Sequence, residues 1–413
     1  MTGCPVIDFA DPKIQRDPFP AYEALRAKGP VHRDPTTGYY VVVDYDLNLE
    51  IVRDVETYSN ETGVIAVRSG DFGKEIQKVY EEHGVPVQPT LLVTDPPRHR
   101  FYRSFVDRAF SPSRVKKLEA YLTEVCDEMI AEFANESEID FIARMAAILP
   151  VYVVADLVGA DRSMVSSLKL WADAAASGTD PSSPREAVLG FVREECKLQL
   201  FILEQANRYR AQPADTLLSD VANAKVDGRH LSDEELVSMM EQVFNAGHET
   251  TSGVLGHAMM WMIKTPGLEE QLREKPELIG AFVEEILRLE APLQGMFRIT
   301  TRDVTLGGMD IPKGAVIMVR FGAANRDDKK FGCPAQIDLT RPGLRQHFAF
   351  GSGIHFCVGN QLARAELRIA FTRLLHHLRD FRLTDESAPI ERRPHYFIHG
   401  LERLNIQFSR NLT

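Results

Sequence analysis

Hydrophobic and polar positions follow helical spacing over most of the chain, and a few short stretches break it. Tyr39–Val43 reads YYVVV, a β-branched and aromatic run too short for a helix, and predicts a strand. Asp303–Phe321 alternates through turns at Gly307-Gly308 and Pro312-Lys313-Gly314 and predicts β-hairpins. Ala21–Lys28 predicts a helix stopped by Gly29-Pro30, and Leu47–Val55 predicts another. Gly63–Leu92 has mixed polarity without a period and reads as loop with room for one short helix. Val115–Arg210 is helical in pattern, interrupted near Asn135–Glu138 and at the turn-rich Gly178–Pro184, with Leu149–Gly159 a buried helix entered at Pro150. Turn residues are scattered, not gathered into a linker, and no repeat recurs, which predicts one compact domain over residues 1–413.

One helical pattern is far longer than the rest. Ser232 and Glu235 form a capping box, and the pattern runs to Lys264 before Thr265-Pro266 stops it. That is about 33 residues, or roughly 50 Å. Met239, Val243, Phe244, Val254, Leu255, Met259 and Met262 fall on more than one face, as in a helix buried along much of its length. Its middle, Ala246-Gly247-His248-Glu249-Thr250-Thr251, is built of poor helix formers; glycine alone costs about 1 kcal/mol against alanine. A buried glutamate without a partner costs more. Ala246 and Gly247 leave room for a ligand, Thr250 can loosen the ladder through its hydroxyl, and Glu249 with Thr250 offers a proton source beside a donor. A plain kink accounts for the same residues. His248 and Thr251 carry no assigned role.

The stretch Phe350–Gly359, FGSGIHFCVG, places Cys357 on a glycine loop just before the helical pattern that starts at Asn360. Unpaired N–H groups at a helix start favour a thiolate, the form that binds metal. Glycines let the backbone turn tightly and let a flat group approach, and His355 can bond an anionic edge of it. The combination suggests haem iron with an axial cysteine. A buried inert cysteine and a catalytic nucleophile with a distant histidine are the competing readings. Structural zinc is disfavoured, because Cys4, Cys126, Cys196, Cys333 and Cys357 form no CxxC pair.

Composition narrows the class. Hydrophobic content of 44% and charged content of 26% are globular values. A net charge of −11 argues against nucleic acid as a partner of the whole surface, while leaving room for a local basic patch. The unpaired cysteines fit a reducing compartment. The opening MTGCPVIDFADPK is neither a signal peptide nor an anchor, and no apolar stretch reaches the ~20 residues that span a bilayer. A soluble, cytoplasmic protein without membrane association is expected.

Four separated segments carry a family resemblance. FGSGIHFCVG resembles the haem-binding signature of the cytochrome P-450 superfamily: a Phe, glycines, a basic residue two before Cys and a Gly two after it. Asp95–Arg103 (DPP-x-H-x-x-x-R), AGHETT and Glu285–Arg288 (E-x-x-R) resemble three further family segments, in the same order and over nearly the whole chain. The resemblance implies a mainly α fold with small β-sheets, β-rich near 35–65 and 293–325. It implies one haem b between the long helix and the Cys357 loop.

It further implies Cys357 as the iron ligand, with Phe350, Gly351, His355 and Gly359 around the cofactor and His99, Arg103 and Arg298 at its propionates. On residues alone, His99 and Arg103 equally form a solvated basic face. Glu249 and Thr250 become an acid–alcohol pair delivering protons. Glu285, Arg288 and Arg341 become a buried ion network, although Ile337 stands where Phe is common. Gln242, Asn245, Ala246, Leu293, Gln294, Met296, Phe297 and Ile398 would border the substrate, with Phe397 and His399 closing in beside Ile398.

The implied activity is insertion of one oxygen atom from O2 into a small or medium hydrophobic molecule. Electrons would come from a separate ferredoxin and its NAD(P)H-linked reductase, docked near the basic Arg100, Arg108, Lys116 and Lys117 of a monomer. A peroxide-dependent or isomerising haem–thiolate enzyme, and a non-enzymatic haem ligand sensor, are the alternatives.

Overall fold

Tyr40–Val43 is buried at every position, because its sheet is covered on both faces. The computed structural model describes residues 7–62, 70–178, 180 and 183–411. Cys4 and parts of the expected loops at Gly63–Leu92 and Gly178–Pro184 lie outside the described residues. Ten strands are described: β1 (Val31–Arg33), β2 (Tyr40–Val42), β3 (Tyr58–Ser59), β4 (Glu138–Asp140), β5 (Met296–Thr300), β6 (Val304–Leu306), β7 (Met309–Ile311), β8 (Val316–Val319), β9 (Leu378–Leu383) and β10 (Asn405–Arg410). The rest is mainly helix.

The chain divides into two compact units. The first comprises Met1–Thr62, Glu284–Cys357 and Arg392–His399. Its five-stranded sheet has the order β1-β2-β8-β5-β3, with β2 and β8 parallel and the other pairs antiparallel. The two-residue side-chain period of a strand sorts its core. Val42, Ile317 and Val319 face one cluster with Tyr45, Ile51 and Phe348. Val41, Val43 and Met318 face the other, with Phe19, Tyr22 and Tyr396. Of the expected hairpins, one forms, β6 with β7 around Gly307-Gly308. The segment after Gly314 instead joins the large sheet as β8, pairing with β2 from far earlier in the chain.

The second unit comprises Gly63–Val283, Val358–Glu391 and Gly400–Thr413. It is helical, with one small sheet of order β4-β10-β9. The helix Gly70–His83 corrects the reading of this region as largely loop. Its apolar stripe is short, and Ile76, Val79 and Tyr80 find Val188, Val192 and Cys196 of the helix Arg185–Ala211. Tertiary packing thus holds a helix that its pattern announces weakly. β4 likewise sits where only an interruption was visible, because its partner β10 lies at the other end of the chain.

The long helix spans Asp233–Lys264, 32 residues, unbroken through AGHETT. Its capping box is present: Ser232 Oγ accepts from the Glu235 N–H at 3.2 Å, and the Glu235 carboxylate accepts from the Ser232 N–H at 2.9 Å. Among the described residues, no helix is long and apolar enough to cross a membrane.

Candidate active site

In the first unit, the Cys357 loop is built on positive-φ glycines. Gly351 turns at φ +66° and Gly353 at φ +72°. A Cβ on Gly353 would lie 2.5 Å from the carbonyl oxygen of Val52, whereas one on Gly351 would meet nothing closer than 3.9 Å. The loop closes with the Cys357 N–H donating to the Phe350 carbonyl at 2.9 Å and the Phe356 N–H to that of Gly353 at 3.1 Å. Gly359 is the N-cap of the helix Asn360–His377, so the sulfur sits three residues before the helix. Cys357 and His355 are half-buried, Phe350 is buried, and Ile354 and Phe356 expose apolar side chains on the same loop.

The other described cysteines differ. Burial pushes the Cys126 and Cys196 thiols up to about 12, so neither is a thiolate near neutrality. Cys333 is exposed on a turn. Cys357 therefore has the donor chemistry that fits haem iron: a reachable sulfur on a glycine loop with apolar flanks, three residues before a helix start.

Arg298 on β5 is buried and donates to the Phe297 carbonyl at 2.7 Å. The strand period puts Met296 and Arg298 on one face and Phe297 on the other. Met296 packs on the first cluster, and Phe297 makes edge contacts with Tyr39 and Phe397 at 5.5 and 5.2 Å. Met296 and Phe297 thus point to opposite faces of this strand. Leu293 and Ile398 are half-buried and joined by an antiparallel bridge. Gln294 is no open donor: its Nε2 donates to the Ala291 carbonyl at 2.7 Å and its Oε1 accepts from the Tyr22 hydroxyl at 3.1 Å.

Glu285, Arg288 and Arg341 form one buried network. Glu285 Oε1 accepts from Arg288 Nε at 2.7 Å and from Arg341 Nε at 3.0 Å. Its Oε2 takes Arg288 Nη2 at 2.9 Å and the Asp338 N–H at 2.9 Å. Both guanidinium groups then satisfy carbonyls of the loop 325–336, including Gln336 at 3.0 Å from each. Sequence reasoning missed a second network, in which Glu290 binds His399 at 2.8 Å and Arg326 at 3.1 Å. His399 is accordingly a strut of this network.

In the second unit, the helix Arg98–Val106 carries His99 and Arg103 four residues apart on one face. His99 is buried, and burial together with the Arg103 guanidinium holds its imidazole below the ordinary histidine value. His99 is thus a neutral donor and Arg103, paired with Asp107 at 2.6 Å, bears the charge. Arg100, Arg108, Lys116 and Lys117 are exposed.

The long helix turns one open stripe outward in its middle. Ala246 is exposed and Gln242, Asn245 and Thr250 are half-buried, while His248, Glu249 and Thr251 are buried. The Thr250 hydroxyl donates to the Ala246 carbonyl at 2.7 Å, the loosening bond that its position suggested. Gly247 lies close to a neighbouring helix: a Cβ there would lie 3.0 Å from Val154 of the helix Leu149–Val158. Gln242 accepts from the Leu92 N–H at 3.0 Å, and Asn245 Oδ1 is enclosed without a hydrogen bond among the described residues.

A family model described as Cytochrome P450 matches residues 191–399. The chain is 32% identical to "Cytochrome P450 144" of Mycobacterium tuberculosis, over 95% of this chain and 89% of that protein. It is 32% identical to the "Vitamin D(3) 25-hydroxylase" of Pseudonocardia autotrophica, over 98% and 97%. The structure of the bacillaene polyketide synthase cytochrome P450 PksS of Bacillus subtilis superposes with a TM-score of 0.86 at 29% identity, over 98% of this chain and 100% of that one.

Proposed function

This chain belongs to the cytochrome P450 family and is a haem–thiolate monooxygenase, and from that premise we propose the residues, electron source and substrate class. The group these residues would hold is haem b, which when bound would supply activation of O2, with the Cys357 thiolate as electron donor to its iron. Cys357 is its ligand; the half-buried sulfur on a glycine loop heading a helix is the single observation that carries this reading. His355 and the Phe350–Gly351 turn flank the cofactor, and Arg103, His99 and Arg298 hold its carboxylates through charge-assisted bonds. Glu249 holds the proton and the Thr250 hydroxyl passes it on, released from the Ala246 carbonyl as it donates.

The substrate is a hydrophobic molecule of small or medium size with one polar end. Leu293, Met296, Ile398 and Ala246 meet its apolar body, and Asn245 Oδ1 meets the polar end. Electrons come from a ferredoxin and its reductase, drawn to Arg100, Arg108, Lys116 and Lys117 on an otherwise acidic monomer.

The test is spectroscopic. Reduced protein under carbon monoxide should give the far-red-shifted Soret band of a thiolate adduct, and Cys357→Ala should lose it; retention in the variant ends the assignment. A compound panel screened for the spin-state change identifies the substrate class. With the best binder, Thr250→Ala should keep consuming O2 while product per O2 falls on the order of tenfold. Efficient turnover on peroxide alone, with no gain from ferredoxin and reductase, would favour the peroxide-dependent alternative.

A further inference from the structure

Glu249 is buried in the long helix, so a proton spent there must be replaced through the protein. The structure offers a route. Asp173 of the helix Val165–Gly178, His248 and Glu249 bring a carboxylate oxygen, a ring nitrogen and a second carboxylate oxygen within 4.8 Å of one another. One end is open and the rest closed: the side chain is 38% exposed at Asp173, against 1% at His248 and 5% at Glu249. The outer end therefore touches solvent and the inner end does not.

The histidine is held in one orientation. Its Nε2 lies 3.1 Å from the Ala147 carbonyl, which only accepts, so Nε2 carries hydrogen. Nδ1 then keeps its lone pair, lies 3.8 Å from Glu249 Oε1, and makes no hydrogen bond among the described residues. A ring nitrogen so placed can take up a proton and pass it on to a carboxylate. A metal ion is the less fitting occupant, because the Lys169 ammonium already sits 2.6 Å from Asp173.

We propose that Asp173 and His248 refill Glu249 with protons from solvent. Asp173 takes a proton from water, His248 Nδ1 accepts it, and the Glu249 carboxylate receives it by a small ring rotation or one bridging water. Each transfer breaks one O–H or N–H bond as it makes another, and Asp173 and His248 end in their starting states. Both are positioning residues that act through Glu249, so the inference rests on the acid–alcohol reading of Glu249 and Thr250.

Two variants test it on the haem-loaded protein. Asp173→Asn sits at a part-exposed position and removes the titrating group; His248→Gln keeps a donor for the Ala147 carbonyl but carries no proton. With the best binder from the spin-state screen, each should lower product per O2 about threefold to tenfold and raise the solvent isotope effect on product formation. Asp173→Glu should restore both. Independently of turnover, 15N-histidine NMR of the reduced carbon monoxide complex should show Nε2 protonated at His248. Unchanged coupling and isotope effect in Asp173→Asn overturn the relay. Glu249→Gln separates the premise: if it uncouples while Asp173→Asn and His248→Gln do not, only the relay fails; if Glu249→Gln leaves coupling intact, the reading of Glu249 fails first.

Discussion

At the residue scale, function rests on a few side chains whose surroundings make them chemically unlike their namesakes. Three described cysteines are buried inertly or stranded on a turn, while Cys357 alone combines access, a glycine loop and a helix start. The loop's glycines are not equivalent. Gly353→Ala forces a side chain into φ +72° and against the Val52 carbonyl, whereas Gly351→Ala meets only the conformational cost. Strain of about 1–3 kcal/mol is expected from φ alone. Gly353→Ala should therefore lower the haem-to-protein ratio and the Tm well beyond Gly351→Ala, as read by absorbance and thermal melts. The two networks built on Glu285 and Glu290 show the limit of residue-level reading. E-x-x-R pointed to the first, and nothing local announced the second, because Glu290, Arg326 and His399 are adjacent only after folding.

At the element scale, the long helix is the clearest success of pattern reading: capping box, length and stop all lie where polar and apolar positions put them. Its start also sets a pH dependence. Glu235 is held down at about 2 by the Arg229 guanidinium first, then by the Ser232 N–H and the Tyr102 hydroxyl. A carboxylate with a depressed folded value contributes stability above its unfolded value and loses it as pH falls toward the folded one. Glu235→Gln should lower the Tm at pH 7, and the gap to wild type should close as pH drops from about 5 toward 2. Gly70–His83 marks where the same reasoning fell short. A stripe of four apolar residues, Phe72, Ile76, Val79 and Tyr80, decides little by itself, and the helix Arg185–Ala211 decides the rest.

At the scale of the whole molecule, charge acts twice. Inside the first unit, Glu285 binds two guanidinium groups away from water. Glu285→Gln leaves them unbalanced, and removing one partner of a buried ion network costs about 3–5 kcal/mol. Denaturant unfolding should show a large loss against a total of about 5–15 kcal/mol for a typical protein. Outside, a net charge of −11 coexists with exposed Arg100, Arg108, Lys116 and Lys117. Lys116→Glu with Lys117→Glu should slow reduction by an acidic ferredoxin roughly tenfold at low salt, with the difference shrinking as salt rises; stopped-flow reduction measures it.

The chain's own order of residues determined the family motifs, the long helix and the glycine loop that carries Cys357, because each depends on neighbours within about ten positions. Tertiary structure decided what depends on distant partners. It put Met296 and Phe297 on opposite faces through strand pairing, closed Gln294 onto Tyr22, and gave Gly247 to Val154. It also set Asp173 beside His248, where no spacing in the sequence relates them. Burial and charge proximity are three-dimensional quantities, and a one-dimensional pattern carries them only where the chain folds back on itself at a fixed period.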